Sequence, residues 1–103
     1  MASPSRKELK KAMLAIFLSK DDKEKKARSK EFTKLLFALV ESKMHGESED
    51  DIYLKQMEAI GMFSNYIFRK NREKSEEGKN PKEALKEISE ESDELFEQIE
   101  SSV

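Results

Sequence analysis

Apolar residues in this chain recur at steps of three and four and nowhere alternate for long, which is the spacing of helices with a buried face. Breakers are rare, with glycines only at 46, 61 and 78 and prolines only at 4 and 81. The pattern predicts an all-α chain, a small antiparallel bundle of four helices making a single domain over residues 1–103. Only 36% of the residues are apolar against 41% charged, so a core can form only if the apolar residues share faces.

The first helix is expected from Ser3 or Ser5 to about Lys20, because Pro4 suits a first helical position and Ser5-x-x-Glu8 has capping-box spacing. Leu9, Ala12, Met13, Ile16 and Phe17 form its main stripe, while Leu14 and Leu18 lie well round the cylinder. The run from Asp21 to Arg28 is nearly all charge and fits either a loop or the solvated start of the next helix. A second helix is expected over about Ser29–His45, with Phe32, Leu35, Leu36, Leu39 and Val40 on one face. Phe37 and Met44 sit toward its flank, and Gly46 is placed to stop it in the left-handed conformation.

The third helix follows Ser48, capped against Asp51, and runs out in Arg69, Lys70, Asn71 and Arg72. Its expected buried stripe is Tyr53, Met57, Ile60, Ile67 and Phe68, flanked by Ile52, Ala59, Phe63 and Tyr66, with Met62 opposite. Gly61 costs about 0.8–1.0 kcal/mol relative to alanine inside a helix and is read as the close approach of another backbone. Residues 73–80 read as a flexible connection, and Asn80-Pro81-Lys82-Glu83 is a strong start signal for one last helix. That helix has a narrow seam of Leu85, Ile88, Ser92, Leu95 and Ile99, with Phe96 beside it, and is expected to dock loosely or to be exchanged in a dimer. The expected core is Leu9, Met13, Ile16, Phe17, Phe32, Leu36, Leu39, Tyr53, Met57, Ile60 and Phe63.

The net charge of -2 hides a dipolar chain. Residues 1–45 carry 12 bases and 6 acids, residues 46–72 carry 4 and 5, and residues 73–103 carry 4 and 11. Such an acidic last helix reads either as a solvated face held against the basic first two helices or as a steering surface for a basic partner.

Chemistry is hard to place. With no cysteine there is no disulfide, thiolate zinc site or cysteine nucleophile. His45, four residues after Glu41, is the only histidine, so a bundle di-metal site cannot be built within one chain. The Glu49-Asp50-Asp51 trio lacks the spacing and central glycine of a calcium loop and suits the positive end of a helix dipole. Neither a phosphate loop nor perturbed paired carboxylates are expected, so the chain is read as a non-enzyme with no cofactor and no metal. A mean hydropathy of -0.84 and the absence of a long apolar run exclude a membrane-spanning helix, although the first helix, with Lys7, Lys10 and Lys11 beside Phe17 and Leu18, has the make-up of a surface anchor. The charged first residues give no secretory signal, and a cytoplasmic location is the expectation.

What remains is binding. The sequence points to a protein-binding adaptor, inhibitor or immunity-type module, with a homodimer as one form. Its surface is expected to combine Leu14, Leu18, Phe37 and Met44 with the carboxylates of Glu90, Glu91, Glu94 and Glu97. The alternative is a nucleic-acid-associated regulator, contacting phosphates through Lys23, Lys25, Lys26, Arg28, Arg69 and Arg72 where the two basic clusters meet in space.

Overall fold

A computed structural model describes residues 3–103, so Met1 and Ala2 of the expected domain lie outside the described residues. The described residues form five helices and no strand: α1 Arg6–Phe17, α2 Asp22–Lys43, α3 Glu49–Glu76, α4 Pro81–Glu90 and α5 Asp93–Ser101. At about 1.5 Å per residue, the 28 residues of α3 span ~42 Å, which sets the long axis of a 45 × 27 × 21 Å body. α1 packs on α2, α2 on α3, and α4 and α5 close over the rest, α4 against α1 and α3 and α5 against α2 and α3.

Local chemistry explains the helix ends. The Ser5 hydroxyl accepts from the Glu8 amide at 3.1 Å while the Ser5 amide donates to the Glu8 carboxylate at 3.2 Å, so α1 opens on a complete capping box. Pro4 therefore precedes the cap and is not the first helical residue. The charged run after Asp21 is the solvated start of α2, because the Asp21 carboxylate caps the Glu24 amide at 2.8 Å. At the far end of α3, Lys79 N–H donates to Lys74 C=O at 3.1 Å and Gly78 N–H to Ser75 C=O at 3.0 Å, with Gly78 at φ 76°. This Schellman closure carries α3 through Glu76, so residues 73–76 are helix where a flexible connection was expected, and the link to α4 is short.

The last helix is broken. Glu91 and Ser92 both have ψ near zero, which turns the chain between α4 and α5 and makes five helices of the expected four. The carbonyls freed at the break are satisfied from the side: Tyr66 donates its hydroxyl to Ile88 C=O at 3.1 Å, and the buried Ser92 hydroxyl donates to Ser89 C=O at 2.6 Å.

One core joins all five helices, built from Leu9 and Met13 of α1, Phe32, Leu36, Leu39 and Val40 of α2, Ala59 and Tyr66 of α3, Ile88 of α4, and Leu95, Phe96 and Ile99 of α5, with Met44. Ile16, Phe17, Ile60 and Phe63 are partly buried against it. Two expected core residues are not in it: Tyr53 and Met57 are 59% and 38% exposed. The reason is that α3 carries apolar residues on more than one side, and the side turned inward holds Ala59 and Tyr66. Loose docking of the C-terminal segment is also corrected, since Ile88, Leu95 and Phe96 are fully buried in their own chain.

Candidate functional site

The acidic C-terminal segment is largely neutralised from within. Arg6 on α1 reaches Glu100 at 2.7 Å and stacks over the Phe96 ring at 5.5 Å, and Lys10 reaches Asp93 at 2.7 Å. Along α3, Arg69 pairs with Glu94 at 3.0 Å, Lys70 with the same carboxylate at 3.8 Å, and Lys74 with Glu91 at 3.2 Å. Lys79 pairs with Glu87 at 3.2 Å, and Lys43 of α2 approaches Glu100 at 3.7 Å. The carboxylates therefore rest on bases of α1 and α3, with one contact from α2 and one from Lys79 in the link before α4.

The titrations follow from these contacts. Hydrogen bonding to Arg69 holds the Glu94 carboxyl below its ordinary value, and the same bond pushes Arg69 up. Hydrogen bonds to Glu91 and Glu87 raise Lys74 and Lys79. Tyr66 is pushed up to about 12, first by burial and then by the nearby Glu91 and Glu94 charges.

The expected protein-binding set is thus divided. Glu91 and Glu94 are engaged internally, while Glu90 and Glu97 are exposed and, among the described residues, have no ion pair. Met44 is buried in the core, Leu14 and Phe37 are half-buried, and Leu18 is 53% exposed. Met62, read as lying opposite the main stripe, packs against the core. Among the described residues, Leu14, Leu18, Phe37, Glu90 and Glu97 line neither the groove between α2 and α3 nor the two depressions beside α3.

The basic set is divided as well. Arg28 donates to Ala15 C=O at 2.7 Å and pairs with Glu24, which ties the start of α2 to α1. Arg69 is held by Glu94. Lys23, Lys25, Lys26 and Arg72 are exposed, and among the described residues none has a carboxylate partner. Lys25 of α2 lines a groove together with Asn71 of α3, whereas Arg69 and Arg72 do not line it.

That groove lies between α2 and α3. It is open, encloses about 720 Å3, and is walled by Ser29, Phe32, Thr33 and Leu36 of α2 and by Ile60, Phe63, Ser64, Ile67, Phe68 and Asn71 of α3. Ile16, Phe17 and Ser19 at the end of α1 and Leu85 of α4 complete it. The Phe32 and Phe63 rings meet 4.6 Å apart, joining the two walls. Lys25 is the sole charged residue in this lining, although 41% of the chain is charged. Phe68, at 71% exposure, stands at its edge as the most exposed large apolar side chain. Such a surface can bury apolar side chains of a ligand but offers no nucleophile or paired carboxylates.

Sequence reasoning assigned Ile67 and Phe68 to a buried stripe and so missed this face. The available signal was the width of the apolar sector of α3, too broad for one partner to cover. Gly61 belongs to the same exposed side, and a Cβ added there would meet no atom within 4 Å, so the backbone approach expected at Gly61 is not made within the chain.

Among the described residues no three His, Cys, Asp or Glu side chains come together as a metal-ligand set, and no helix is long and apolar enough to cross a membrane. The fold and surface define a small all-helical protein with an apolar groove. No family model, curated protein or solved structure matches the chain.

Proposed function

We propose that this chain is a non-catalytic helical module that acts by binding another protein, as an adaptor, inhibitor or immunity-type partner would. It binds through the α2–α3 groove and not through the acidic face of α4 and α5. The observation that carries this reading is the pairing of a nearly uncharged groove with an exposed Phe68 in so highly charged a chain. Internal ion pairing of Glu91 and Glu94 removes half of the acidic alternative.

A photo-crosslinking residue placed at Phe68 tests it, with Glu97 as the comparison site. The reading expects a protein adduct from the source cells at 68 and none at 97. Adducts only at 97, or at neither, contradict it. An adduct at 68 formed with the chain itself makes the partner a second copy.

A second reading keeps the nucleic-acid alternative, favoured by Lys20, Lys23, Lys25, Lys26 and Lys30 around the start of α2, all exposed and without an ion pair among the described residues. Engagement of Arg28 and Arg69 within the fold weakens it. Its signature is affinity for a duplex or single strand that collapses as salt rises and is indifferent to Phe68→Ser.

A further inference from the structure

We infer that the α2–α3 groove takes an acidic amphipathic helix of a partner protein, a proposal that rests on the groove-binding reading above and specifies its partner. The sign of the partner follows from charge left over at the groove. Of the five bases on α3, Lys55, Arg69, Lys70 and Lys74 each have a carboxylate partner, whereas Arg72, one turn beyond Phe68, has none among the described residues; it lines an adjoining depression that shares Phe68 and Asn71 with the groove. Across the groove, Lys25 lines the opposite wall, and it and the adjacent Lys26 are exposed and have no carboxylate partner among the described residues. No acid lines the groove. A basic ligand finds no counter-charge there, while carboxylates on both flanks of an apolar stripe meet a cation on each side.

A helical form follows from the shape and the lining. The α3 wall from Ile60 to Asn71 runs ~17 Å, about three turns of a guest helix, and a helix satisfies its own backbone against walls that are mostly apolar. An extended segment has no such internal partners, and Thr33, one of the few wall hydroxyls, already donates to Ser29 C=O at 2.8 Å.

The test uses the full chain and two synthetic helical peptides of about 15 residues, ~22 Å as a helix. Both carry leucines at i, i+4, i+7 and i+11, one with glutamates on the flanks and the other with lysines. Fluorescence anisotropy at low and moderate salt gives the affinities, with unchanged circular dichroism confirming that each variant folds. The acidic peptide binds on the order of tenfold or more tighter than its lysine counterpart, and a Lys25→Glu, Lys26→Glu, Arg72→Glu triple variant reduces that affinity by on the order of tenfold. Phe68→Ser weakens it as well. Absence of saturable binding by the acidic peptide overturns the inference. Equal binding of both peptides, each lost in Phe68→Ser, overturns the acidic assignment and leaves the groove reading standing. Acidic-peptide binding that survives Phe68→Ser overturns the placement in the groove and counts against both. A Phe68-dependent dimer without peptide, seen by light scattering, assigns the groove to a second copy and also overturns the inference.

Discussion

Arg69 donates a hydrogen bond to Glu94 at 3.0 Å, joining the surface of α3 to that of α5. Both side chains are about half exposed, so solvent screens the pair and its contribution lies in the range of about 0–1 kcal/mol. Its consequence is functional more than energetic, because it turns two strong surface charges toward each other and away from any partner.

The pair makes a pH prediction. Glu94 titrates below its ordinary value in the folded state, so its contribution is present above the unfolded carboxyl pKa and disappears as pH falls through the folded one. A double-mutant cycle on Arg69→Ala and Glu94→Ala, followed by urea unfolding, should give a coupling under about 1 kcal/mol at neutral pH and none in strong acid. A coupling that grows on acidification contradicts this assignment.

Tyr66 governs the alkaline side. Its folded pKa of about 12 exceeds the ordinary 10.0, so the folded state holds the phenol proton more tightly. The associated stability is complete below pH 10.0 and is lost as pH rises toward about 12. In a Tyr53→Phe variant, which leaves Tyr66 as the single tyrosine, tyrosinate absorbance should rise with a midpoint near 12 or with unfolding if that comes first. Tyr66→Phe strands the Ile88 carbonyl and should cost about 1–3 kcal/mol at neutral pH, read from chemical denaturation.

The α5 anchors should be far more costly to lose than the outer residues of α3. Phe96→Ala empties a fully buried site and should destabilise by about 3–5 kcal/mol, against total stabilities that begin near 5 kcal/mol. Tyr53→Ala and Met57→Ala should each stay within about 0.5 kcal/mol, as exposed positions do. Equal losses at all three positions contradict the assigned core.

Gly61→Ala should stabilise the chain. The position is inside α3, has no positive φ and leaves space for a Cβ, so alanine gains about 0.5–1 kcal/mol of helix propensity without a clash. For a domain of this size, that corresponds to a few degrees in Tm, readable by calorimetry. A lower Tm indicates a contact at Gly61 that the fold does not contain.

How much of this was legible depends on the range of the interaction. The Ser5–Glu8 capping box, the Asn80-Pro81 start and the left-handed Gly46 after α2 are local, and each lies where the sequence puts it, whereas the Gly78 turn closes a longer α3 than the sequence predicts. The break at Ser92 was hidden because serine suits a small seam position as well as a helix end, and its bond to Ser89 C=O shows only in the folded chain. Sequence alone leaves the acidic segment as either a held face or a partner surface, because the cations that neutralise it lie between 8 residues away, at Lys79 and Glu87, and 94 residues away, at Arg6 and Glu100. Periodicity cannot choose among the apolar sides of α3, so it places Tyr53 and Met57 in the core and Phe68 in a buried stripe, and the groove that Phe68 borders goes unseen.

The most direct test of the groove as the binding surface is amide chemical-shift mapping of the folded chain, titrated with the acidic amphipathic peptide. The account predicts the largest shifts at Ser29, Thr33, Ser64 and Phe68 along the two groove walls, with Glu90 and Glu97 unmoved. Shifts concentrated at Glu90–Glu97, or no saturable shifts at all, would contradict it.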